Sequence, residues 1–282
     1  MVATVTSLPV ASRPPEVAVF ERDLPVRVNE TVNDEYRRMV LAAPADLLKR
    51  CRPGQFFHLL CPSVGDEMPF LRRPMSIYGA WPGRGELHFL YKVTGAGTRG
   101  LASLAPGDEL SVVGPLGRGF RIEESWNRLM LVARGVGMAT LAPLALAARE
   151  RGKHLVAVLS ARDPEHLMSA DLFADLGAEV VTVTDSEGTS GMDHLRALIE
   201  ARIATGGVDA FYTCGSNRIL TLLQQLGARH RIPGEVALEQ QMACGLGMCH
   251  CCVRPFLKGG ERVNLRVCRE GPVFDLEEAI AW

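Results

Sequence analysis

Alternating hydrophobic and polar positions mark the first part of the chain. The clearest case is residues 86–93, in which Leu87, Phe89 and Tyr91 share one face and polar side chains occupy the other. Similar segments lie near Val26 and in residues 36–41, 55–61, 75–80 and 109–113. Period-two alternation bounded by turn residues is typical of half-buried antiparallel strands. The sequence therefore predicts a small six-stranded antiparallel β-barrel over residues 17–125, after a flexible tail over 1–16.

The hydrophobic period changes after Trp126. Apolar runs at residues 129–133, 155–159, 180–183 and 210–212 are each followed by a helix-length segment. Helices are predicted over 139–150, 164–176, 193–203 and 217–229, with Ser216 as the N-cap of the last. This order predicts a parallel α/β domain over residues 126–235, and a further strand at 236–239 leads into a C-terminal segment, 236–282.

Composition excludes several classes of protein. The 282 residues are 47% hydrophobic and carry a formal net charge of -1, so no broad basic surface is available for nucleic acid. No uncharged apolar run approaches the roughly 20 residues that span a bilayer, and the N-terminus lacks the pattern of a secretion signal. We therefore expect a cytoplasmic protein without a membrane span.

Cysteine spacing gives the strongest chemical signal. Cys244, Cys249 and Cys252 follow the order C-x4-C-x2-C, with Cys268 as a separate fourth. This spacing is that of plant-type 2Fe-2S ligation, and Gly245 together with a second glycine lets the loop curl around inorganic sulfide. A zinc knot is the alternative, although it normally shows paired C-x2-C units.

Two neighbours of these cysteines leave alternatives open. Cys251 stands beside Cys252, and His250 beside Cys249, so either could replace one ligand. Adjacent side chains point apart in an extended turn, and the spacing favours Cys252. Cys251 is then expected to be a small packing residue.

Two segments of the predicted barrel suit a flavin nucleotide. Arg73 could pair with a pyrophosphate and Ser76 could reach the edge of a flavin ring, although an edge-strand ion pair would explain Arg73 equally well. Gly97 and Thr98 follow a strand and could present amides and a hydroxyl to the same phosphates. A plain turn is the alternative for this second segment.

Two segments of the α/β domain suit a second nucleotide. Gly135 and Gly137 lie between the first parallel strand and a helix, where a phosphate would meet the positive helix end. Tight packing of strand against helix is the alternative. Cys214 ends the fourth parallel strand, where ligands bind in such sheets, and could contact a nicotinamide. A buried structural thiol would explain Cys214 equally well.

Taken together, these segments resemble the electron-transfer subunits of the two-subunit, NAD-linked dihydroorotate dehydrogenases, within the ferredoxin reductase superfamily. The resemblance covers nearly the whole chain after the tail. It depends on ordered matches: Arg73-Pro74-Met75-Ser76, Leu90-Tyr91-Lys92, the Gly97-Thr98 step, residues 114–120, Leu238-Glu239 with Met242, the C-G-x-G-x-C-x-x-C loop, and Cys268 with residues 271–274.

The resemblance implies an oxidoreductase with FAD, a 2Fe-2S cluster and NAD(H) as cofactors. The FAD is expected to contact Arg73, Pro74, Met75, Ser76, Leu90, Tyr91, Lys92, Gly97 and Thr98, and the nucleotide Gly135 and Gly137. The family's partner is an FMN-containing catalytic subunit, in a heterotetramer, which oxidises dihydroorotate in pyrimidine biosynthesis. Electrons then pass through the cluster and FAD to NAD.

Some positions depart from the family's pattern. Arg134 stands where a further glycine is usual, and Thr140 where a proline is usual. The Cys-Gly-Pro that is often found at the end of the fourth strand is Cys214-Gly215-Ser216 here. A reductase that serves another dehydrogenase or an oxygenase is therefore an alternative. A zinc-binding interaction module without enzymatic activity is a second one.

Overall fold

The computed structural model describes residues 19–281, so the predicted tail at 1–16 lies outside the described residues. Its N-terminal part is an antiparallel sheet in the order β4-β3-β7-β1-β2-β6-β5. The strands are β1 Phe20–Thr31, β2 Tyr36–Ala42, β3 Phe56–Leu59, β4 Arg73–Ser76, β5 Gly79–Trp81, β6 Glu86–Lys92 and β7 Glu109–Leu116. Two short helices, α1 Ala45–Leu48 and α2 Ala96–Ser103, connect them.

This sheet confirms the predicted antiparallel barrel fold and adds one strand. The segment predicted as one strand over 75–80 is divided into β4 and β5, which makes seven strands instead of six. Leu87, Phe89 and Tyr91 of β6 are almost fully buried, as the alternation predicts. His88 is buried as well, because the Trp81 ring packs against it at 4.3 Å between ring centroids.

The second part is the predicted parallel α/β fold. Its strands are β8 Arg128–Arg134, β9 His154–Ala161, β10 Glu179–Thr184, β11 Ala210–Cys214 and β12 Gly234–Ala237, and its helices are α3 Gly137–Glu150, α4 Ala170–Asp175, α5 Met192–Gly206 and α6 Asn217–His230. The five strands pair in parallel in the order β10-β9-β8-β11-β12. Ser216 caps α6 by accepting a hydrogen bond from the Ile219 amide at 3.4 Å. The helix predicted over 164–176 is instead a 3-10 turn, Pro164–His166, followed by α4.

The C-terminal segment returns to the α/β sheet. It contains a hairpin of β13 Val253–Lys258 and β14 Glu261–Arg266, and β15 Val273–Asp275 then pairs antiparallel with β12. Because β12 begins at Gly234, the predicted boundary at 235/236 falls inside a strand. The loop between β12 and β13, which carries Cys244, Cys249 and Cys252, is therefore anchored at the carboxyl end of the sheet.

One hydrophobic core joins all three parts. It contains Phe56 and Leu116 of the barrel, Val236 of the sheet, and Cys252 and Phe274 of the C-terminal segment. None of the helices within residues 19–281 combines the length and the apolar character that crossing a bilayer requires.

Candidate flavin cleft and cluster loop

A cleft of about 990 Å³ lies where the three parts meet. Its volume is near the upper end of the range for small-molecule sites, as a dinucleotide requires. The barrel wall consists of residues 70–76, 90–92 and 94–98, the α/β wall of Val136, Ala139 and Thr140, and the third wall of residues 238–242. The structure thus brings together every residue that was predicted to contact FAD.

Arg73 and Gly97 form the cationic end of this cleft. The Arg73 guanidinium donates to the Leu71 carbonyl and lies over the first turn of α2. A Cβ on Gly97 would stand only 2.8 Å from Arg73 Nε, so a glycine is required for this close approach. The first amides of a helix have no intrahelical acceptor, and next to a guanidinium they suit a pyrophosphate.

Arg72 and Arg73 have different surroundings. Arg72 is bound to Glu21 at 2.6 Å and to the Ser111 carbonyl at 2.9 Å. Across residues 19–281, no carboxylate forms an ion pair with Arg73. Arg72 therefore forms the edge-strand ion pair that was the alternative interpretation, whereas the charge of Arg73 remains available to a ligand in the cleft.

Three other predicted contact residues have side chains with partners inside the protein. The Tyr91 side chain is 1% exposed in the barrel core, and its hydroxyl donates to Asn29 Oδ1 at 2.9 Å. Lys92 Nζ lies 2.7 Å from Glu35 Oε2. The Thr98 hydroxyl accepts from the amides of Thr94 and Gly95 at 2.8 and 3.1 Å, so it shapes the turn before α2. Pro74, Met75, half-buried Ser76 and Leu90 complete the same wall.

The glycine pair before α3 has two different roles. Gly135 has a φ of +57° and lines a second cavity of about 220 Å³ with Glu35, Lys92, Arg134 and Arg162 among its neighbours. Gly137 is buried, and a Cβ there would lie 2.4 Å from the Cys214 carbonyl oxygen. Gly137 is therefore explained by the tight packing of α3 against β11, which was the alternative interpretation. Gly135 is the better candidate for a nucleotide contact.

Gly137→Ala is accordingly expected to destabilise the fold, because α3 would have to move away from β11. Overpacking of this kind costs about 1–3 kcal/mol, and each kcal/mol lowers the unfolding midpoint by roughly 2–4 °C in a domain of 150–250 residues. Thermal unfolding followed by circular dichroism measures the shift. Gly83→Ala is the control, since a Cβ there has no neighbour within 4 Å. Equal midpoints for the two variants would contradict this packing role.

Arg134 and Cys214 are both occupied by protein contacts. The Arg134 guanidinium is bidentate to Asp185, with N–O distances of 3.1 and 2.6 Å, so its charge is paired with a carboxylate. Cys214 is 2% exposed, and burial raises the pKa of its thiol, which contacts the Thr140 hydroxyl. In the described part of the chain Thr140 lines the cleft and Cys214 does not. A contact between Cys214 and a nicotinamide stays a prediction.

Main-chain amides of the loop between β12 and β13, here called the cluster loop, surround the sulfur of Cys244. Cys244 Sγ accepts hydrogen bonds from the Leu246 and Met248 amides at 3.4 and 3.3 Å. Burial acts to raise the pKa of Cys244, but these amides and that of Cys249 lower it to about 6. Gly245 and Gly247 have φ values of +68° and +82°, as the predicted curl of the loop requires. These amides therefore favour the thiolate form of Cys244, which is the form that binds a metal.

The four predicted ligands form two pairs. The thiol of Cys244 contacts that of Cys249, and the thiol of Cys252 contacts that of Cys268. The Cys268 amide also donates to Cys252 Sγ at 3.4 Å. Burial, followed by the Cys252 thiol, raises the pKa of Cys268 to about 12. Two pairs of thiols match the two thiolates that each iron of a 2Fe-2S cluster takes.

Cys251 and His250, which stand beside predicted ligands, are placed differently. Cys251 Sγ lies 3.9 Å from the Gln241 carbonyl oxygen, outside the two pairs, and His250 has a φ of +58°. Within residues 19–281 no three His, Cys, Asp or Glu side chains are placed to hold a single metal ion. The four cysteine thiols, arranged in two pairs, are a set of donors that fits the predicted 2Fe-2S cluster.

Several residues at the site had not been predicted as contacts. Residues 239–241 follow β12, and the rule that ligands bind at the carboxyl ends of parallel strands could have identified them. Phe70 lines the cleft and is 93% exposed, and Met248 of the cluster loop is 79% exposed. His58 is 2% exposed in the barrel beside Gly245, and burial, helped by the Arg72 cation, lowers its pKa to about 4.

Comparison with known proteins agrees with this geometry. Residues 239–280 match the model of the iron-sulfur cluster binding domain of dihydroorotate dehydrogenase B. The electron transfer subunit of dihydroorotate dehydrogenase B (NAD(+)) from Desulforamulus reducens is 33% identical and covers 81% of this chain and 87% of its own length. The corresponding subunit from Bacillus caldolyticus is 35% identical, with coverages of 81% and 87%.

A solved structure of the NADH-dependent reduced ferredoxin-NADP oxidoreductase has the same fold. Its TM-score is 0.75 at 27% identity, and the match covers 92% of this chain and 90% of that one. These findings confirm the predicted fold class, the oxidoreductase class, and FAD, a 2Fe-2S cluster and NAD(H) as cofactors. The chain belongs to the family of electron-transfer subunits of NAD-linked dihydroorotate dehydrogenase B.

Proposed function

We propose that this chain carries electrons between NAD(H) and an FMN-containing catalytic subunit that oxidises dihydroorotate in pyrimidine biosynthesis. The observation that carries the proposal is the shared cleft, whose three walls come from the barrel, the start of α3 and the cluster loop. A flavin held there has a nucleotide site on one side and the cluster loop on the other. A heterotetramer in the cytoplasm completes the proposal. None of the eight cysteines, all of which lie within residues 19–281, forms a disulfide, as expected of a reducing compartment.

Each part of the chain has a distinct task. Residues 17–125 bind FAD, with Arg73 on the pyrophosphate and Ser76 near the ring. Residues 126–235 bind NAD, with Gly135 at the phosphates and Cys214, buried at the end of β11, near the nicotinamide. Residues 236–282 hold the cluster through Cys244, Cys249, Cys252 and Cys268. The FAD supplies two-electron exchange with NAD(H), and the cluster supplies one-electron exchange with the partner.

The partner is expected to approach the cluster loop. Leu246 and Met248 lie between the ligands Cys244 and Cys249, and their side chains are 43% and 79% exposed. Exposed apolar side chains on a loop with cofactor ligands are typical of a surface that another protein covers. Contact there would bring the partner close to the cluster.

The isolated chain is expected to act as a diaphorase. With NADH it should reduce ferricyanide, because the cleft adjoins the nucleotide site, and with dihydroorotate it should show no activity. Stopped-flow absorbance under anaerobic conditions follows both reactions. Oxidation of dihydroorotate by the single chain would contradict the division of labour between the subunits.

A second candidate is a reductase that serves another dehydrogenase. The observation that favours it is the match to the NADH-dependent reduced ferredoxin-NADP oxidoreductase over 90% of that chain. Anaerobic affinity purification from the native host separates the two candidates. Copurification of an FMN-binding dihydroorotate dehydrogenase supports the first, and copurification of a different dehydrogenase supports the second.

A further inference from the structure

His58 is a buried polar residue without a polar partner for its outer ring nitrogen. It belongs to β3, pairs across the sheet with Pro74 of β4, and is 2% exposed. Within residues 19–281 its Nε2 is one of two buried side-chain polar atoms that have no hydrogen-bond partner. Leaving a buried donor or acceptor unsatisfied is unfavourable, so such an atom requires an explanation.

The unpartnered edge of the ring faces the cluster loop. A Cβ built on Gly245 would lie 2.9, 3.0 and 3.2 Å from Cε1, Nε2 and Cδ2 of His58. These three ring atoms are centred on Nε2, so that nitrogen is directed at the residue that follows Cys244. The ring is held from the side by Phe56, at 5.7 Å between centroids. Gly245 is therefore needed both for its φ of +68° and for the approach of the imidazole.

We propose that His58 Nε2–H donates a hydrogen bond to a sulfur atom of the cluster, on the side held by Cys244, and thereby positions and tunes the cluster. A neutral imidazole carries one N–H, and the tautomer protonated at Nε2 supplies the donor. Thiolate and sulfide are the acceptors at a 2Fe-2S centre, and hydrogen bonds to them help to set its reduction potential. No proton is transferred, and the cluster still takes up a single electron.

The position of His58 links the two cofactor sites. Its strand is hydrogen-bonded to β4, which contains Arg73, Pro74, Met75 and Ser76 of the cleft wall. One pair of strands therefore contacts the flavin site through β4 and the cluster loop through His58. The proposal depends on the cluster assignment in the proposed function, which the cluster's own spectrum tests separately.

Replacing His58 tests the donor. A hydrogen bond stabilises the more negative, reduced cluster, so His58→Leu should lower the equilibrium constant for one-electron reduction on the order of tenfold, or about 59 mV. His58→Gln, which places an amide donor near the position of Nε2, should restore much of this loss. The readout is an anaerobic redox titration monitored by electron paramagnetic resonance, in samples matched for iron and FAD content.

His88→Leu is the matched control. His88 is also a buried barrel histidine, but its Nε2 is bound to Glu86 at 3.1 Å, and its strand β6 does not pair with β3. The reduction potential of the cluster in His88→Leu should equal that in the unaltered protein. An unchanged reduction potential in His58→Leu, or an equal shift in His88→Leu, would overturn the proposed hydrogen bond. The proposed function would still stand in that case, because the electron paramagnetic resonance signal would show that the cluster is present.

A second measurement applies if His58→Leu does not assemble the cluster. Pulsed electron paramagnetic resonance of the reduced His250→Gln protein, labelled with ¹⁵N-histidine, reports nitrogen nuclei that are coupled to the cluster. The His250 substitution removes the histidine adjacent to Cys249, so the remaining coupling is assigned to His58. Detected coupling supports the hydrogen bond, and its absence refutes it.

Discussion

Cys252→Ser is expected to abolish or severely perturb the 2Fe-2S cluster, whereas Cys251→Ala should leave it intact. Cys252 is buried, contacts Cys268, and accepts a hydrogen bond from the Cys268 amide at 3.4 Å. Cys251 is exposed, and its thiol is directed at the Gln241 carbonyl, outside the two pairs of predicted ligands. Iron and acid-labile sulfide analysis, with electron paramagnetic resonance of the reduced protein, measures both variants.

The two adjacent cysteines provide a matched comparison. Both variants change one thiol in the same turn, so a general disturbance of the loop would affect them alike. FAD content should be equal in the two, because neither cysteine lines the cleft within residues 19–281. Loss of the cluster in Cys251→Ala, with retention in Cys252→Ser, would reverse the ligand assignment.

Arg73→Ala should weaken FAD binding on the order of ten- to a hundredfold. If Arg73 binds the pyrophosphate as proposed, the substitution removes a charge-assisted contact of about 1.5–3 kcal/mol, and each 1.4 kcal/mol is a factor of ten. The FAD affinity of Arg73→Lys should lie between those of Arg73→Ala and the unaltered protein, because an ammonium keeps the charge but loses the bidentate fork. Fluorescence titration of the apoprotein with FAD gives the dissociation constants.

The control for this prediction is Arg38→Ala. Arg38 also belongs to the barrel, but it forms an exposed ion pair with Glu30 at 2.6 Å and does not line the cleft of residues 19–281. Surface pairs of this kind contribute about 0–1 kcal/mol. The FAD affinity of Arg38→Ala should therefore be unchanged, and an equal effect of the two substitutions would show that Arg73 does not contact the pyrophosphate.

The elements and the cluster loop could be predicted because their signals are local. Period-two alternation identified β6, and the spacing of Cys244, Cys249 and Cys252 is a ligand pattern in itself. The structure places these three with Cys268 in two pairs. Such a pattern lies within one segment, so it can be recognised without any knowledge of the tertiary contacts.

The direction of individual side chains could not be predicted in the same way. Tyr91 lies in the segment that lines the cleft, yet its hydroxyl is bound to Asn29, 62 residues away in sequence. Gly137 is required by the Cys214 carbonyl, and His58 meets the cluster loop only because the barrel packs against the C-terminal segment. These contacts join distant parts of the chain, and no periodicity in a single segment encodes them.

Reduction of NAD⁺ by dihydroorotate, followed at 340 nm under anaerobic conditions, tests the central claim most directly. The FMN-containing subunit is assayed alone, with this chain, and with the Cys252→Ser variant. NADH should form only when the catalytic subunit and the unaltered chain are both present, and little or none should form with Cys252→Ser. NADH formation by the catalytic subunit alone, or at an unchanged rate with a variant that lacks the cluster, would contradict the role of this chain as the electron carrier.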